Sequence, residues 1–146
     1  MARAELAIRA FRGEDEAAVV ALWQACGLTR PWNDPAKDVR RKLAVRGEWF
    51  LVGEIAGAIV ASAMAGYDGH RGSVFYMAVA PAQRGRGFGR ALMRHIERAL
   101  HAAGCPKINL LVRTDNAQAI GFYQRLGYSI EQTAGLGKRL EADSGG

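Results

Sequence analysis

The stretch Gln83-Arg84-Gly85-Arg86-Gly87-Phe88-Gly89 decides the fold, because it joins the apolar run Val74-Phe75-Tyr76-Met77-Ala78-Val79 to a helical pattern. In that pattern Phe88, Leu92, Ile96 and Leu100 form one apolar stripe, and Gly104 and Pro106 end it, predicting a helix over 87–103. The run before the loop is apolar at every position, which predicts a central strand covered on both faces. Strand, glycine-rich turn and helix in this order leave unpaired N–H groups and a partial positive charge at the helix start, and both favour a phosphate. Two well-known phosphate loops do not fit. A dinucleotide fingerprint needs a glycine at position 90, which is Arg90, and Gly137-Lys138-Arg139 lacks the hydroxyl and the helix of a P-loop.

Outward from this centre, strand and helix signals alternate. Residues 4–11 read as a first strand, and 14–26 as a helix with Val19, Val20, Trp23 and Cys26 at helical spacing. Asp34 caps a second helix over 35–45, with Pro35 at its first position. Strands over 49–55 and 58–67 turn at Gly57, and Asp68-Gly69 is a hairpin signal leading into the central strand at 73–79. Downstream, 107–112 predicts a strand and Asn116 caps a helix to 126, stopped by Gly127. Residues 128–140 are expected to add one or two strands around a turn at 135–137, and Asp143-Ser144-Gly145-Gly146 reads as a frayed end.

The 146 residues, 49% hydrophobic, suit one domain spanning 1–146. No apolar run approaches the roughly 20 residues of a membrane helix, so neither signal peptide nor anchor is expected and the protein reads as cytoplasmic. Cys26 and Cys105 lie far apart without ligand spacing, which predicts buried reduced thiols and no metal site. A net charge of +6 favours anionic partners, polyphosphate or nucleic acid. Nucleic acid is disfavoured because the arginines are scattered. Only Arg84, Arg86, Arg90, Arg94 and Arg98 concentrate, and Arg94 and Arg98 read as a solvated helix face.

Arg84, Gly87 and Gly89 spell Arg-x-x-Gly-x-Gly after Val79-Ala80-Pro81, and a second motif runs Asn116-Ala117-Gln118-Ala119-Ile120-Gly121-Phe122-Tyr123-Gln124-Arg125-Leu126-Gly127-Tyr128. With this pair the chain resembles the GNAT (Gcn5-related N-acetyltransferase) superfamily over residues 6–140. It looks most like bacterial members of the YpeA type, through Arg30-Pro31-Trp32-Asn33-Asp34-Pro35, Gly66-Tyr67-Asp68-Gly69-His70-Arg71-Gly72 and Leu136-Gly137-Lys138-Arg139-Leu140. The resemblance implies an α/β (α+β) fold. Its central sheet is mixed, mostly antiparallel and six- to seven-stranded, flanked by about four helices and splayed between strands 4 and 5. It also implies an acetyltransferase that moves acetyl from acetyl-CoA, its co-substrate, to a primary amine of a small molecule or protein, by direct attack and without a metal. A homodimer is an allowed assembly.

Carried over residue by residue, the resemblance assigns cofactor binding to Met77, Ala78 and Val79 on the strand and to Arg84, Gly85, Arg86, Gly87, Phe88, Gly89 and Arg90 in the loop. The resemblance also implies a bulge in this strand that splays it from the next and opens a gap for the pantetheine arm. Tyr123 corresponds to the general acid that protonates the departing thiolate, while its helical spacing with Ile120 and Leu126 also suits a core aromatic. Asn116 either touches the pantetheine or only caps its helix. The base is missing from the strand, since no carboxylate occurs over 73–79; a water chain through Asp68, His70 or Asp115, or an amine of low pKa, would replace it. Trp32, Asn33, Asp34, Tyr67 and Asp68 are expected to line the acceptor's approach. The missing carboxylate keeps a non-catalytic acyl-CoA binding or sensing module as the alternative.

Overall fold

The computed structural model describes residues 5–143, so Ala4 of the expected first strand and 144–146 of the expected frayed end lie outside the described residues. The sheet contains strands β1 (Ala7–Ala10), β2 (Phe50–Ile55), β3 (Ala58–Tyr67), β4 (Gly72–Val79) and β5 (Ile108–Asn109), in that spatial order. β1 to β4 pair antiparallel and β5 joins β4 in parallel, making the sheet mixed. Helices α1 (Glu16–Ala25) and α2 (Pro35–Ala44) lie between β1 and β2, α3 (Phe88–Ala102) crosses from β4 to β5, and α4 (Ala117–Arg125) follows β5. No described helix is long and apolar enough to cross a membrane.

Local chemistry explains the element ends. The Asp34 carboxylate accepts from Ala36 N at 2.9 Å and Lys37 N at 3.4 Å, starting α2 where the cap was expected. Ala56 (φ 50) and Gly57 (φ 83) take the two left-handed positions of a tight hairpin turn between β2 and β3. The β3–β4 turn is fixed by Asp68, whose Oδ1 accepts from His70 N at 2.8 Å and Arg71 N at 2.7 Å.

Period-two alternation divides the sheet into two faces. Leu51, Ala61, Ala63, Ala65 and Val74 pack beneath Leu92, Met93, Ile96 and Leu100 of α3. Phe50, Val52, Met64 and Ala78 pack against Val19, Leu22 and Trp23 of α1 and Val39 of α2. The alanines on the α3 side leave room for the helix to approach the sheet.

Three expectations change. First, the described sheet has five strands in place of six or seven, because 128–140 forms none. Its apolar residues stay in solvent, with Ile130 73%, Leu136 96% and Leu140 91% exposed, so burial gives the segment no reason to hold strand register. Second, the strand expected over 107–112 shortens to Ile108–Asn109 and pairs only at Gly72↔Ile108 and Ser73↔Asn109. Beyond these pairs β4 and β5 part, which is the splay between strands 4 and 5. Third, β4 is not covered on both faces throughout, since Phe75 is 51% exposed.

β4 is also bulged. The register passes from Ala78↔Ser62 to Phe75↔Met64, so Tyr76 and Met77 together face Ala63 alone. Tyr76 takes φ 52, a left-handed conformation costly for an aromatic residue.

Candidate active site

The loop after β4 owes its shape to glycine. Gln83 N donates to Ala80 O at 2.8 Å, and Gly85 and Gly87 both follow at φ 81. No atom lies within 4 Å of where a Cβ would stand at either one, so the requirement is conformational and not steric. Gly89 is glycine for another reason. A Cβ there would lie 3.0 Å from Phe122 Cζ and 3.1 Å from Cε1, and its absence lets the start of α3 approach α4. Gly87 caps α3 without a side chain, and no acidic residue occupies the first turn. The helix therefore presents its first N–H groups and its positive end, with Arg84, Arg86 and Arg90 exposed around them.

These groups open onto a cleft of about 500 Å³ walled by Met77, Ala78 and Val79, by the loop, and by Asn116, Phe122 and Tyr123 at α4. Of the residues expected to hold the cofactor, only Arg86 is off the wall; it donates to Gln83 Oε1 at 2.6 Å and stands over the Phe88 ring at 5.0 Å. Gln118, Ala119, Phe122, Arg125 and Leu126 line the cleft too. For Ala119 and Leu126 the signal was present, since they share a helical face with Tyr123. Cys26 and Leu28 come from the α1–α2 connection and carried no such signal.

Tyr123 makes edge contacts with Phe122 at 5.0 Å and Tyr128 at 5.8 Å between ring centroids, and burial pushes its phenol up to about 12. It therefore keeps its proton through the neutral range, as an acid must and a base must not. The Asn116 carbonyl accepts from Ala119 N at 3.1 Å, so the capping role is filled while its NH₂ remains available on the cleft wall. The Val79 carbonyl is already occupied, accepting the Cys26 thiol and Arg84 Nε, each at 3.3 Å. Among the described residues no carboxylate or imidazole lines the cleft, so Asp68, His70 and Asp115 all stand off it. No group of three or more His, Cys, Asp or Glu among the described residues is arranged to hold a metal ion.

The residues expected on the acceptor side do not gather at one opening. Trp32 is 50% exposed beside a second depression of about 540 Å³, shared with Arg41 and residues 137–141. Asn33 Oδ1 accepts from Arg139 at 2.5 Å, and the Asp34 side chain is the α2 cap. Tyr67 instead donates to Gly104 O at 3.1 Å, just past the end of α3, and Asp68 belongs to the hairpin turn. There the backbone N–H groups of Arg71 and His70 hold its carboxyl below the usual range. The cleft lies at the other end of α3, whose 15 residues span roughly 22 Å, so Tyr67 and Asp68 are remote from it.

A bulged, splayed strand beside an uncapped helix N-terminus suits an α/β protein that holds an extended, phosphate-bearing ligand along an open strand. Comparison with known proteins gives that architecture its family. The sequence profile of the Acetyltransferase (GNAT) family matches residues 8–128, and the chain belongs to that family. It is 53% identical over 136 residues to an acetyltransferase of Yersinia enterocolitica, covering 93% of this chain and 96% of the relative. Among solved structures it resembles Ard1 from Thermoplasma volcanium, with TM-score 0.76, 29% identity and coverage of 86% and 84% of the two chains. It also resembles Naa20 from Chaetomium thermophilum in complex with a bisubstrate analogue, with TM-score 0.69, 28% identity and coverage of 85% and 71%.

Proposed function

We propose that residues 1–146 form a single cytoplasmic N-acetyltransferase domain, which transfers acetyl from acetyl-CoA to a primary amine of a small molecule or protein by direct attack in a ternary complex. The observation that carries this reading is the uncapped N-terminus of α3, opening with Arg84 and Arg90 onto a cleft that Tyr123 walls. Backbone N–H groups from the loop and first turn take the pyrophosphate. Arg84, Arg86 and Arg90 add positive charge, and Met77 to Val79 flank the pantetheine arm. Membership of the acetyltransferase family and the bisubstrate analogue held by Naa20 support the choice of donor and of direct attack.

Attack of a neutral amine on the thioester carbonyl forms an oxyanion, which a backbone N–H at the bulge stabilises. Tyr123 then gives its proton to the CoA thiolate as the carbon–sulfur bond breaks, and the proton gained by the attacking nitrogen leaves it to restore the Tyr123 phenol, directly or through water. With no carboxylate or imidazole on the wall among the described residues, the amine arrives neutral or loses its proton to water. The same absence favours a second reading, a non-catalytic module that binds acyl-CoA.

Two measurements test these readings. A rise in melting temperature with acetyl-CoA, and none with NAD or short DNA, supports the donor. Thiol release across amines, polyamines, amino acids and peptides then separates catalysis from binding alone. Stabilisation by acetyl-CoA with no thiol release from any acceptor would select the binding module.

A further inference from the structure

The bulge in β4 is held from the face of the sheet opposite α3, by groups the cleft does not contain. Tyr76 stands at φ 52, and a bulky residue stays there only where its surroundings over-determine it. Its carbonyl accepts from Ser62 Oγ at 2.9 Å, and Ser62 Oγ accepts in turn from Trp23 Nε1 at 2.8 Å. Its ring stacks on Trp23 with centroids 3.9 Å apart and planes 18° from parallel. Its hydroxyl donates to Asp38 Oδ2 at 2.6 Å, on α2.

Trp23 and Ser62 are both 0% exposed. A hydroxyl buried that deeply is costly unless bonded, and this one is spent on two bonds around a single bulge. Regular pairing would give the Tyr76 carbonyl a partner on β3. Because Tyr76 and Met77 share Ala63, the Ser62 side chain supplies the acceptor's partner instead.

We propose that Trp23, Ser62 and Asp38 are positioning residues for acyl transfer, clamping Tyr76 in its left-handed conformation and so fixing how the Met77 and Ala78 backbone faces the cleft. This rests on the acyl-transfer reading of that cleft. Through the clamp, α1 and α2 set the geometry of a site whose walls come mainly from β4, α3 and α4. Asp38 Oδ1 also accepts from Arg41 at 3.0 Å, and Arg41 holds the Asp143 carboxylate at 2.6 Å, so the anchoring of Tyr76 extends to the end of the described chain.

The test uses the full chain with Ser62→Ala, Tyr76→Phe, Asp38→Ala and Asp38→Asn. Calorimetric titration gives the acetyl-CoA Kd, thiol release gives kcat and KM, and melting temperature reports folding. Ser62→Ala, Tyr76→Phe and Asp38→Ala are each expected to lower kcat/KM for acetyl-CoA by roughly tenfold, the effect of losing one of the hydrogen bonds that hold Tyr76. KM for the amine should stay unchanged and amide exchange at residues 76–78 should quicken. Asp38→Asn keeps an oxygen that accepts from Tyr76 and should stay within about twofold of the parent, with the same pH profile.

Tyr76→Phe and Asp38→Ala chains that melt like the parent and match it in Kd, kcat and exchange would overturn the proposal. So would an Asp38→Asn chain as impaired as Asp38→Ala with an altered pH profile, because the carboxylate would then act through its charge. If the parent binds acetyl-CoA but releases no thiol with any acceptor, catalysis is what fails. The Kd and exchange differences among the variants still decide whether the clamp holds the bulge.

Discussion

Gly87→Ala separates conformational strain from crowding in the loop. At φ 81 an alanine costs about 1–2 kcal/mol relative to glycine, and with no atom within 4 Å of the new methyl there is no steric addition. If the loop keeps its shape, the strain appears as lost stability, lowering the melting temperature by roughly 3–10 °C. If residue 87 relaxes out of the left-handed region, the N–H groups opening α3 turn aside. The same 1–2 kcal/mol then appears as a Kd for acetyl-CoA raised by about 5- to 30-fold. Calorimetric melting with and without acetyl-CoA, together with titration, reads both routes. Gly13→Ala is the control, with no positive φ and nothing within 4 Å. Gly89→Ala is the steric counterpart, pressing a methyl to 3.0 Å from the Phe122 ring, which leans on Tyr123; its expected loss is in kcat more than in Kd. A Gly87→Ala chain with parental melting and parental Kd would refute the claim that this left-handed residue shapes the anion cradle.

Tyr123→Phe should lower kcat by roughly 10- to 1000-fold with little change in acetyl-CoA affinity, and unchanged turnover would remove Tyr123 from the mechanism. Cys26→Ala should keep turnover within about threefold, because direct attack needs no acyl-enzyme. Mass spectrometry showing acetyl on Cys26, formed as fast as turnover, would replace direct attack with a relay. Asp15 is held below the usual carboxylate range chiefly by its hydrogen bonds with the Arg9 guanidinium, at 2.8 and 3.0 Å. Because its folded pKa is depressed, its stabilisation is present above the ordinary value near 4 and fades as pH falls through the folded value. Urea unfolding from pH 7 to pH 3 should find Asp15→Asn less stable at pH 7 and less sensitive to acid. Parallel acid losses in parent and variant would contradict the assignment.

What the sequence disclosed was local in the chain. The strand Ala58–Tyr67, the α3 stripe and the Asp34 and Asn116 caps each depend on residues within one element or one turn, and each is found where expected. That the loop and strand would wall one cleft was legible for the same reason, since they are contiguous over 77–90. Contacts between distant segments were not. Cys26 reaches Val79 across 53 residues, and Tyr76 reaches Asp38 across 38, with no periodicity to announce either. The strands expected in 128–140 fail because a turn signal at 135–137 states only where a hairpin could bend; strands also need a partner edge, and β5 pairs through only Ile108 and Asn109. Tyr67 and Asp68 are expected along the acceptor's approach, on the side opposite the cofactor. Their hydrogen bonds, to Gly104 O and within the turn, put them at the far end of α3.

The four α-helices described argue that the anion at the loop must come from outside the chain. α1 carries Glu16 in its first turn, α2 has the Asp34 side chain over its N–H groups, and α4 has Asn116. At α2 the Asp143 carboxylate adds a further bond, accepting from Asp34 N at 2.8 Å while the Arg41 guanidinium holds it far below its ordinary pKa. α3 alone has neither a capping side chain nor an acid in its first turn, although it is the longest of the four. Its positive end is crowded by exposed arginines in place of carboxylates. Free N–H groups in water cost little, but arginines gathered around a helix N-terminus repel that partial charge and one another. The arrangement becomes favourable when a polyanion sits between them, and on the proposed reading the pyrophosphate of a CoA thioester is that polyanion, its arm lying along β4.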